Sequence, residues 1–429
     1  MNLVFFFIVM TAFCFGAVRQ ILWTPTAGEV SPMEALSKAM VESAAGSVDL
    51  AIGLVGVMTL FLGLMKVAEA GGMLTLLARL IRPMMVRLFP EVPPEHPAMG
   101  AMILNLSANA LGLGNAATPF GIRAMQELDT LNPKRGTATD AMALFLAINT
   151  SSVTLLPTGV IALRAAAGSA DPAGILPTTL FATAGSTLVA ILSAKLYARL
   201  SRFRKPIPAD PEIAAQRSLS ADPEAPTAPP PYPAWVSGIA LSALLAFIPV
   251  TVFYGKAVSP WILPGLMAGF LAFGVIRKVP IYETFVEGAK EGFQVAVRII
   301  PYLVAILVAV GLFRASGAME AIVGGIGGIT EKMGLPAQAL PMALLRPLSG
   351  SGAYAVLAST IQDPAVGPDS YVGYLVSTLQ GSTETTFYVI AVYFGAVAVK
   401  RMRYALAAAL TADAAGILFA VLACSWLYG

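Results

Sequence analysis

The run Gln380-Gly381-Ser382-Thr383-Glu384-Thr385-Thr386 sets one amide, one carboxylate and four hydroxyls inside an otherwise apolar segment from about Tyr371 to Val399. Such groups at bilayer depth are costly, and they face a protein-lined cavity or an ion or solute path. Gly381 adds a point where a helix can break and free backbone groups for a ligand. A break of that kind is tolerated only where protein or water covers it. The run therefore reads as half of a binding site in a membrane, with Gln380, Ser382, Thr383, Glu384 and Thr385 as ligand contacts. Two readings of Glu384 stay open: it bonds a polar solute or binds H⁺ or Na⁺, or it is a structural carboxylate paired with an arginine such as Arg346.

The rest of the chain supports a membrane setting. Of its 429 residues 57% are hydrophobic and 12% charged, about half the charge of a soluble domain, and the mean hydropathy is +0.76. Several apolar runs are long enough to span a bilayer. The net charge of +3 comes without a long Lys/Arg block, which argues for basic loops and against nucleic-acid binding. Cys14 and Cys424 lie in separate apolar runs and read as packed or lipid-facing residues. The lone histidine, His96, falls in a Pro-rich turn with no partner at metal-ligand spacing, so no metal or cofactor is expected. Enzyme activity is not expected either, since no Gly-x-Ser-x-Gly or His-Glu-x-x-His motif occurs. Gly324-Gly325-Ile326-Gly327-Gly328 lacks the Lys-Ser/Thr and strand context of a phosphate loop, and reads as a packing or bending element.

Taken in order, the expected spans are Met1–Ala17 (retained, not cleaved), Val48–Met65, Ala141–Leu163, Ile175–Leu196, Trp235–Tyr254, Trp261–Ile276, Val295–Phe313, Tyr371–Val399 and Tyr404–Leu427. Glu29–Ser47 and Met73–Phe89, the latter with Arg79, Arg82 and Arg87, read as interfacial helices. Pro97–Gly121 is too polar for a span. A hairpin that turns at Gly112-Leu113-Gly114-Asn115 and leaves on the side it entered fits better. A second hairpin is expected at Leu335–Ile361, with its tip at Ser349-Gly350-Ser351-Gly352. Residues 201–233 hold Pro229-Pro230-Pro231 and several further prolines, and form a linker rather than a domain.

The two sides of that linker read alike. Gly112-x-Gly114 matches Gly350-x-Gly352, and Asn149-Thr150-Ser151-Ser152, itself inside an apolar span, matches Gln380-Gly381-Ser382-Thr383. The domains are thus 1–200 and 234–429, joined by 201–233. Counting crossings inverts the second copy. Lys195, Arg199, Arg202, Arg204 and Lys205 place the linker in the cytoplasm by the positive-inside rule. The expected fold is an all-α polytopic membrane protein of about nine spans, built as two inverted repeats, each with a re-entrant hairpin and a broken helix. The site would then take Asn115, Thr118, Asn149, Thr150, Ser151 and Ser152 from the first repeat and Ser349 and Ser351 from the second. Ser349 and Ser351 either offer hydroxyls to a ligand or satisfy tip backbone. Asn105 and Asn109 either line the site or cap half-helices. Gly112, Gly114, Gly350 and Gly352 are turn residues first. Asp413, inside the last span, is either a relay or a packed and partnered carboxyl.

Asn109-Ala110-Leu111-Gly112-Leu113-Gly114-Asn115-Ala116-Ala117-Thr118-Pro119-Phe120-Gly121 resembles the signature of spore maturation protein A. Leu345-Arg346-Pro347-Leu348-Ser349-Gly350-Ser351-Gly352-Ala353-Tyr354 and the run Gln380 to Tyr388 resemble those of spore maturation protein B. The chain looks like a fusion of the two families, both of the nucleoside-recognition or gate domain. That domain is similar in layout to the hairpin and broken-helix core of concentrative nucleoside transporters, where a Gln-Thr-Glu stretch contacts substrate; Ser382-Thr383-Glu384 resembles it. The resemblance implies a multi-pass protein of the bacterial inner membrane that moves a small polar, nucleoside-like solute. The alternative is a non-transporting assembly or regulatory factor for the cell envelope or spore. Expected partners are the lipid bilayer, the solute, and a second copy in a homo-oligomer.

Overall fold

The computed structural model describes residues 2–24, 30–112, 114–200 and 230–429, apart from 320, 322–324, 326, 327 and 329. Most of the expected linker, Leu113 at the first tip and most of Gly324–Gly328 therefore lie outside the described residues, as does the side chain of Asn115. The helices are α1 (Asn2–Leu22), α2 (Pro32–Ala70), α3 (Met73–Leu88), α4 (Pro97–Ala110), α5 (Gly114–Thr130), α6 (Asp140–Thr150), α7 (Thr158–Ala166), α8 (Leu176–Arg199) and α9 (Ala234–Ile276). They continue as α10 (Ile281–Ala315), α11 (Leu340–Leu345), α12 (Gly350–Gln362), α13 (Tyr371–Ser382), α14 (Thr386–Gly395) and α15 (Ala405–Tyr428). Among the described residues the only β pairing is an isolated bridge between Thr137 and Arg401.

This is a helical membrane protein. Phe5–Leu22, Leu176–Arg199 and Ala405–Tyr428 are each long and apolar enough to cross a bilayer. Val55–Ala70 and Met73–Leu88 pass the same test together, but they meet at a 67° corner. Gly72 makes that corner with φ 85°, a conformation glycine takes without strain. The amphipathic stretch expected before Val48 is not a separate helix: α2 runs 39 residues without a break from its Ser31 cap and Pro32.

The two spans expected between Trp235 and Ile276 share one helix, α9, of 43 residues. Drawn straight, it would reach about 65 Å. Its ends are tied close together, because the Tyr232 amide donates to Arg79 O at 3.3 Å while Phe273 packs on Gly71. Residues eight apart in a chain are separated by at most about 30 Å. The helix is therefore bent rather than straight.

Two helix pairs, α2 with α10 and α8 with α15, pack antiparallel. Along α2 and α10, Gly288 meets Leu62 and Lys66, Gly292 meets Met58, and Gly311 meets Ser43 and Ala39. Small residues at these crossings let the backbones approach closely, and Lys66 Nζ reaches Glu291 Oε1 at 2.9 Å across the pair. Along α8 and α15, Gly185 lies under Phe419 and Ser186 Oγ donates to Ala412 O at 2.8 Å.

The broken helices are fastened at their outer ends. Thr139 caps α6 through the Met142 amide, and Ser370 caps α13 through the Gly373 amide. Asp140 at the start of α6 binds Arg403, two residues before α15, at 2.7 Å, and accepts from Tyr404 Oη at 2.9 Å. Asp369, just before α13, binds Arg164 in the last turn of α7 at 2.9 Å. Arg164 is fully buried. Its guanidinium also donates to Pro368 O at 2.6 Å and Asp171 O at 3.2 Å, and lies 4.2 Å over the Tyr374 ring.

His96 caps α4 by accepting from the Ala98 amide at 3.1 Å. Burial pulls its imidazole below the ordinary value, which keeps it neutral and able to accept.

Replacing Arg164 by Met takes the donor from the Pro368 and Asp171 carbonyls and leaves Asp369 with Ser169 Oγ and the Ala170 amide alone. The change is expected to cost about 3 kcal/mol, seen as a lower thermal-unfolding midpoint of the purified protein. Arg164→Lys, which keeps the charge but not the fork, should lie between.

Candidate functional site

Two hairpin tips and two helix breaks converge on one pocket. The first hairpin closes as α4 ends at Ala110 and Gly112 adopts φ 75°. A Cβ at Gly112 would strike Leu156 O, so the tip needs glycine for its conformation and for the close approach. In the second hairpin the turn is Arg346–Ser349, not the glycine run: Ser349 caps α12 by accepting from the Gly352 amide at 3.0 Å. Gly350 and Gly352 therefore belong to the first helical turn, and Gly114 likewise begins α5.

The breaks fall at Ser151–Pro157 and at Thr383–Thr385. Pro157 has no amide hydrogen to continue the first helix. Hydroxyls close its last turn, Thr150 and Ser151 donating to Ala147 O at 2.9 and 3.0 Å and Ser152 to Asn149 O at 3.1 Å. Ser382 closes the second in the same way, donating to Leu379 O at 3.2 Å.

The freed backbone is taken up across the molecule. The Glu384 amide donates to Thr150 O at 2.9 Å, joining the two breaks. Leu155 N donates to Ala110 O at 2.9 Å, and Phe387 N to Pro347 O at 3.1 Å. Each break is thus tied to the tip of its own hairpin.

A cavity of about 380 Å³ opens between these pieces. Of the expected residues, Gly112, Gly350, Gln380, Glu384 and Thr385 line it. Thr150, Ser151, Ser152, Ser349 and Ser382 are buried and bond backbone instead. Asn149 accepts from Asn109 Nδ2 at 2.9 Å and Tyr393 Oη at 3.3 Å, and donates to Phe145 O. Asn105 donates to Ala117 O at 2.8 Å and Tyr393 Oη at 3.0 Å. This asparagine–tyrosine network binds the first hairpin, α6 and α14 together. Thr383 packs its methyl on Gly416. Ser351 is exposed in α12, Thr118 half-buried in α5, and neither lines the cavity.

Sequence reasoning missed several walls. Thr154, Thr158 and Tyr354 contribute polar groups, and Met58 and Leu62 of α2 close one side, while Asn109, one of the two asparagines left open, does line the cavity. A threonine on each side of Pro157 was a usable signal. Nothing in the sequence marks Met58 or Leu62, since they come from a helix that reads as an ordinary span.

Arg346, weighed in the sequence as the structural partner of Glu384, forms that pair and also lines the cavity. Its side chain is 7% exposed while that of Glu384 is 51% exposed, and the two form an ion pair of 3.6 Å. Arg346 also donates to Gln380 O at 3.1 Å and Thr385 Oγ1 at 3.0 Å. The arginine is thus fixed by the α13 terminus, where a cation suits the helix dipole, whereas the carboxylate stays half free towards the cavity. Gln380 is buried, yet its Oε1 has no protein partner among the described residues. The cavity therefore presents a half-free carboxylate and a fixed guanidinium, with the unengaged Gln380 oxygen enclosed in its wall.

The nucleoside-recognition (Gate) family model matches residues 51–167 and 296–400, spans that hold both hairpins, both breaks and the cavity between them. The chain belongs to the nucleoside-recognition (Gate) family. It is 46% identical over 167 residues to spore maturation protein B of Bacillus subtilis, covering 93% of that protein and 39% of this chain. It is 44% identical over 160 residues to spore maturation protein A of the same organism, covering 82% of that protein and 37% of this chain. This Gate protein accordingly joins an A-like and a B-like part, as its motifs imply. A crystal structure of the YdaH transporter of Alcanivorax borkumensis aligns with 99% of the chain and 97% of its own, at 17% identity and a TM-score of 0.38. That likeness is too distant to extend either fold or function.

The different burial of Arg346 and Glu384 separates their roles. Arg346→Met should destabilise the purified protein by about 3 kcal/mol, because it leaves buried acceptors unmet. Glu384→Gln should cost less than about 1 kcal/mol, as expected for an exposed pair. Thermal unfolding of both variants measures the contrast.

Proposed function

We propose that this Gate protein is a membrane transporter-like protein that moves a small polar solute, nucleoside-like in its hydrogen-bonding groups, by alternating access. The observation that carries the reading is the single cavity walled by both hairpin tips and both helix breaks. The two halves are read as inverted repeats, supported by the antiparallel counterparts α2/α10 and α8/α15 and by the ion pairs Asp140–Arg403 and Arg164–Asp369.

Depth agrees with this arrangement. From Asp140, α6 runs 11 residues to its break, about 16 Å. From Tyr371, α13 runs 12 residues, about 18 Å from the opposite face. Both distances are near half of a hydrocarbon core of about 30 Å. The hairpins are read as re-entrant, one from each side, and the chain as having about nine passes with its linker in the cytoplasm of a bacterial inner membrane. Broken helices that meet at the midplane of inverted repeats are a recurrent build of secondary transporters.

Within the site, the Gln380 amide oxygen and the Glu384 carboxylate accept from solute N–H or O–H groups. Asn109, Thr154, Thr158, Thr385 and Tyr354 offer further polar contacts, and Met58 and Leu62 an apolar wall for a ring. Movement would be coupled to an H⁺ or Na⁺ gradient, and no covalent reaction is assigned to the site. The names of the two Bacillus relatives favour a second reading, a non-transporting factor in spore or envelope maturation.

Liposomes containing the purified protein, tested with radiolabelled nucleosides and other small polar solutes, decide between the two. The transporter reading expects uptake that falls at least about tenfold with Glu384→Gln, equivalent to about 1.4 kcal/mol of binding or barrier. Uptake no faster than in empty liposomes for every solute, with normal function in cells carrying Glu384→Gln and Asn109→Ala together, would overturn it.

A further inference from the structure

Asp413 lies in the middle of α15 and is 3% exposed. Its Oδ2 accepts from Thr386 Oγ1 at 2.6 Å, and its Oδ1 has no protein partner among the described residues. The pocket does not include it. Thr386 is the first residue of α14 and follows the second break directly. One turn further along α15, Gly416 touches the Thr383 methyl on the other side of that break. A single face of α15 thus grips both ends of Thr383–Thr385, the segment that carries Glu384 and receives Arg346 through Thr385 Oγ1.

The elements packed around Asp413 offer it no counter-ion. From α8 comes Ser186, whose hydroxyl already donates to Ala412 O. Tyr197 of α8 bonds Thr411 at 3.0 Å, but residues two apart on a helix do not share a face. On α14, Tyr393 is engaged with Asn105 and Asn149. Asp140 of α6 sits at the far end of its helix, held by Arg403 and Tyr404, and Tyr374 of α13 lies under Arg164 near the opposite face. The charge that acts on Asp413 is that of Arg346, whose donors go to Gln380 O, Thr385 and Glu384.

An ionised carboxylate with one bare oxygen and no cation in contact is not stable in such surroundings. A hard cation would need several oxygens at once, and the recorded contact is the Thr386 hydroxyl. We propose that Asp413 is a proton site: it takes up one H⁺ to become a neutral carboxylic acid, and its loss or gain of that proton shifts the second break and the Arg346–Glu384 pocket. The coupling to solute movement rests on the transporter reading; the proton site and its grip on the break do not.

Infrared difference spectra of the purified protein across a pH titration test the first part. A protonated-carboxyl C=O band that bleaches as pH rises, and is missing from Asp413→Asn, is expected. Asn keeps the shape and the acceptor for Thr386, and Asp413→Glu should shift the band rather than delete it. Spectra identical for the protein and Asp413→Asn throughout the folded range would overturn the site.

The second part uses Thr158→Cys, facing the pocket, in a Cys14→Ser background, labelled with a maleimide. The labelling rate is divided by the rate with Asp413→Asn added, which cancels the pH dependence of the thiol. This ratio should change several-fold over the pH range in which the band bleaches; a flat ratio would overturn the coupling. Neither measurement needs a solute, so a failed uptake assay counts against transport alone.

Discussion

A helix that stops in a buried interior leaves amides and carbonyls that must find partners, and the centre of this protein is organised by that constraint. The hydrogen bond from the Glu384 amide to Thr150 O, at 2.9 Å, is where the constraint is met between the halves. Neither break is self-sufficient. Each leans on its own hairpin through Leu155 N to Ala110 O or Phe387 N to Pro347 O, and on the other break through this bond. The pocket exists because four interruptions must sit together to close one another's backbone.

The same need explains the ends of the broken helices. A helix in two pieces has no continuous backbone to hold its direction, so its outer ends must be anchored. Asp140–Arg403 ties the start of α6 to the loop before α15, and Arg164–Asp369 joins the last turn of α7 to the start of α13. Arg164, buried and using its fork on two carbonyls and a carboxylate, is the stiffer anchor. Arg403 is more exposed and shares Asp140 with Tyr404. If one end of the assembly yields more readily than the other, it is the Arg403 end.

Much of this was legible in the sequence because punctuation in a membrane is expensive. Gly112 and the runs Asn149–Ser152 and Gln380–Thr385 could be placed at or beside a tip and two breaks from composition alone, whereas Gly350-x-Gly352, read as a second tip, lies in the first turn of α12. What was not legible was how each hydroxyl is used. Thr150, Ser151, Ser152 and Ser382 fold back on carbonyls of their own last turn, whereas Thr385 and Thr386, of the same type and only residues away, reach across to Arg346 and Asp413. Sequence spacing does not separate a hydroxyl that ends a helix from one that begins the next. The bend of α9 and the apolar wall of Met58 and Leu62 were hidden for another reason: both depend on tertiary contacts, with Arg79, Gly71 and the pocket, that leave no local pattern.

The two halves share their backbone solution but not their chemistry. In the first break the position matching Glu384 is Val153, and the position matching Asp413 in α8 falls at or near Gly185. Arg346, Glu384 and Asp413 all belong to the second half, and all three converge on Thr383–Thr386. The first half supplies asparagines, threonines and Pro157, groups that bond or shape without changing charge near neutral pH. The ionisable groups at the cavity therefore lie wholly at the second break, at the carboxylates facing Thr385 and Thr386, so a change of charge there acts on Thr383–Thr386 and leaves the first break, which offers only neutral polar groups, unaltered.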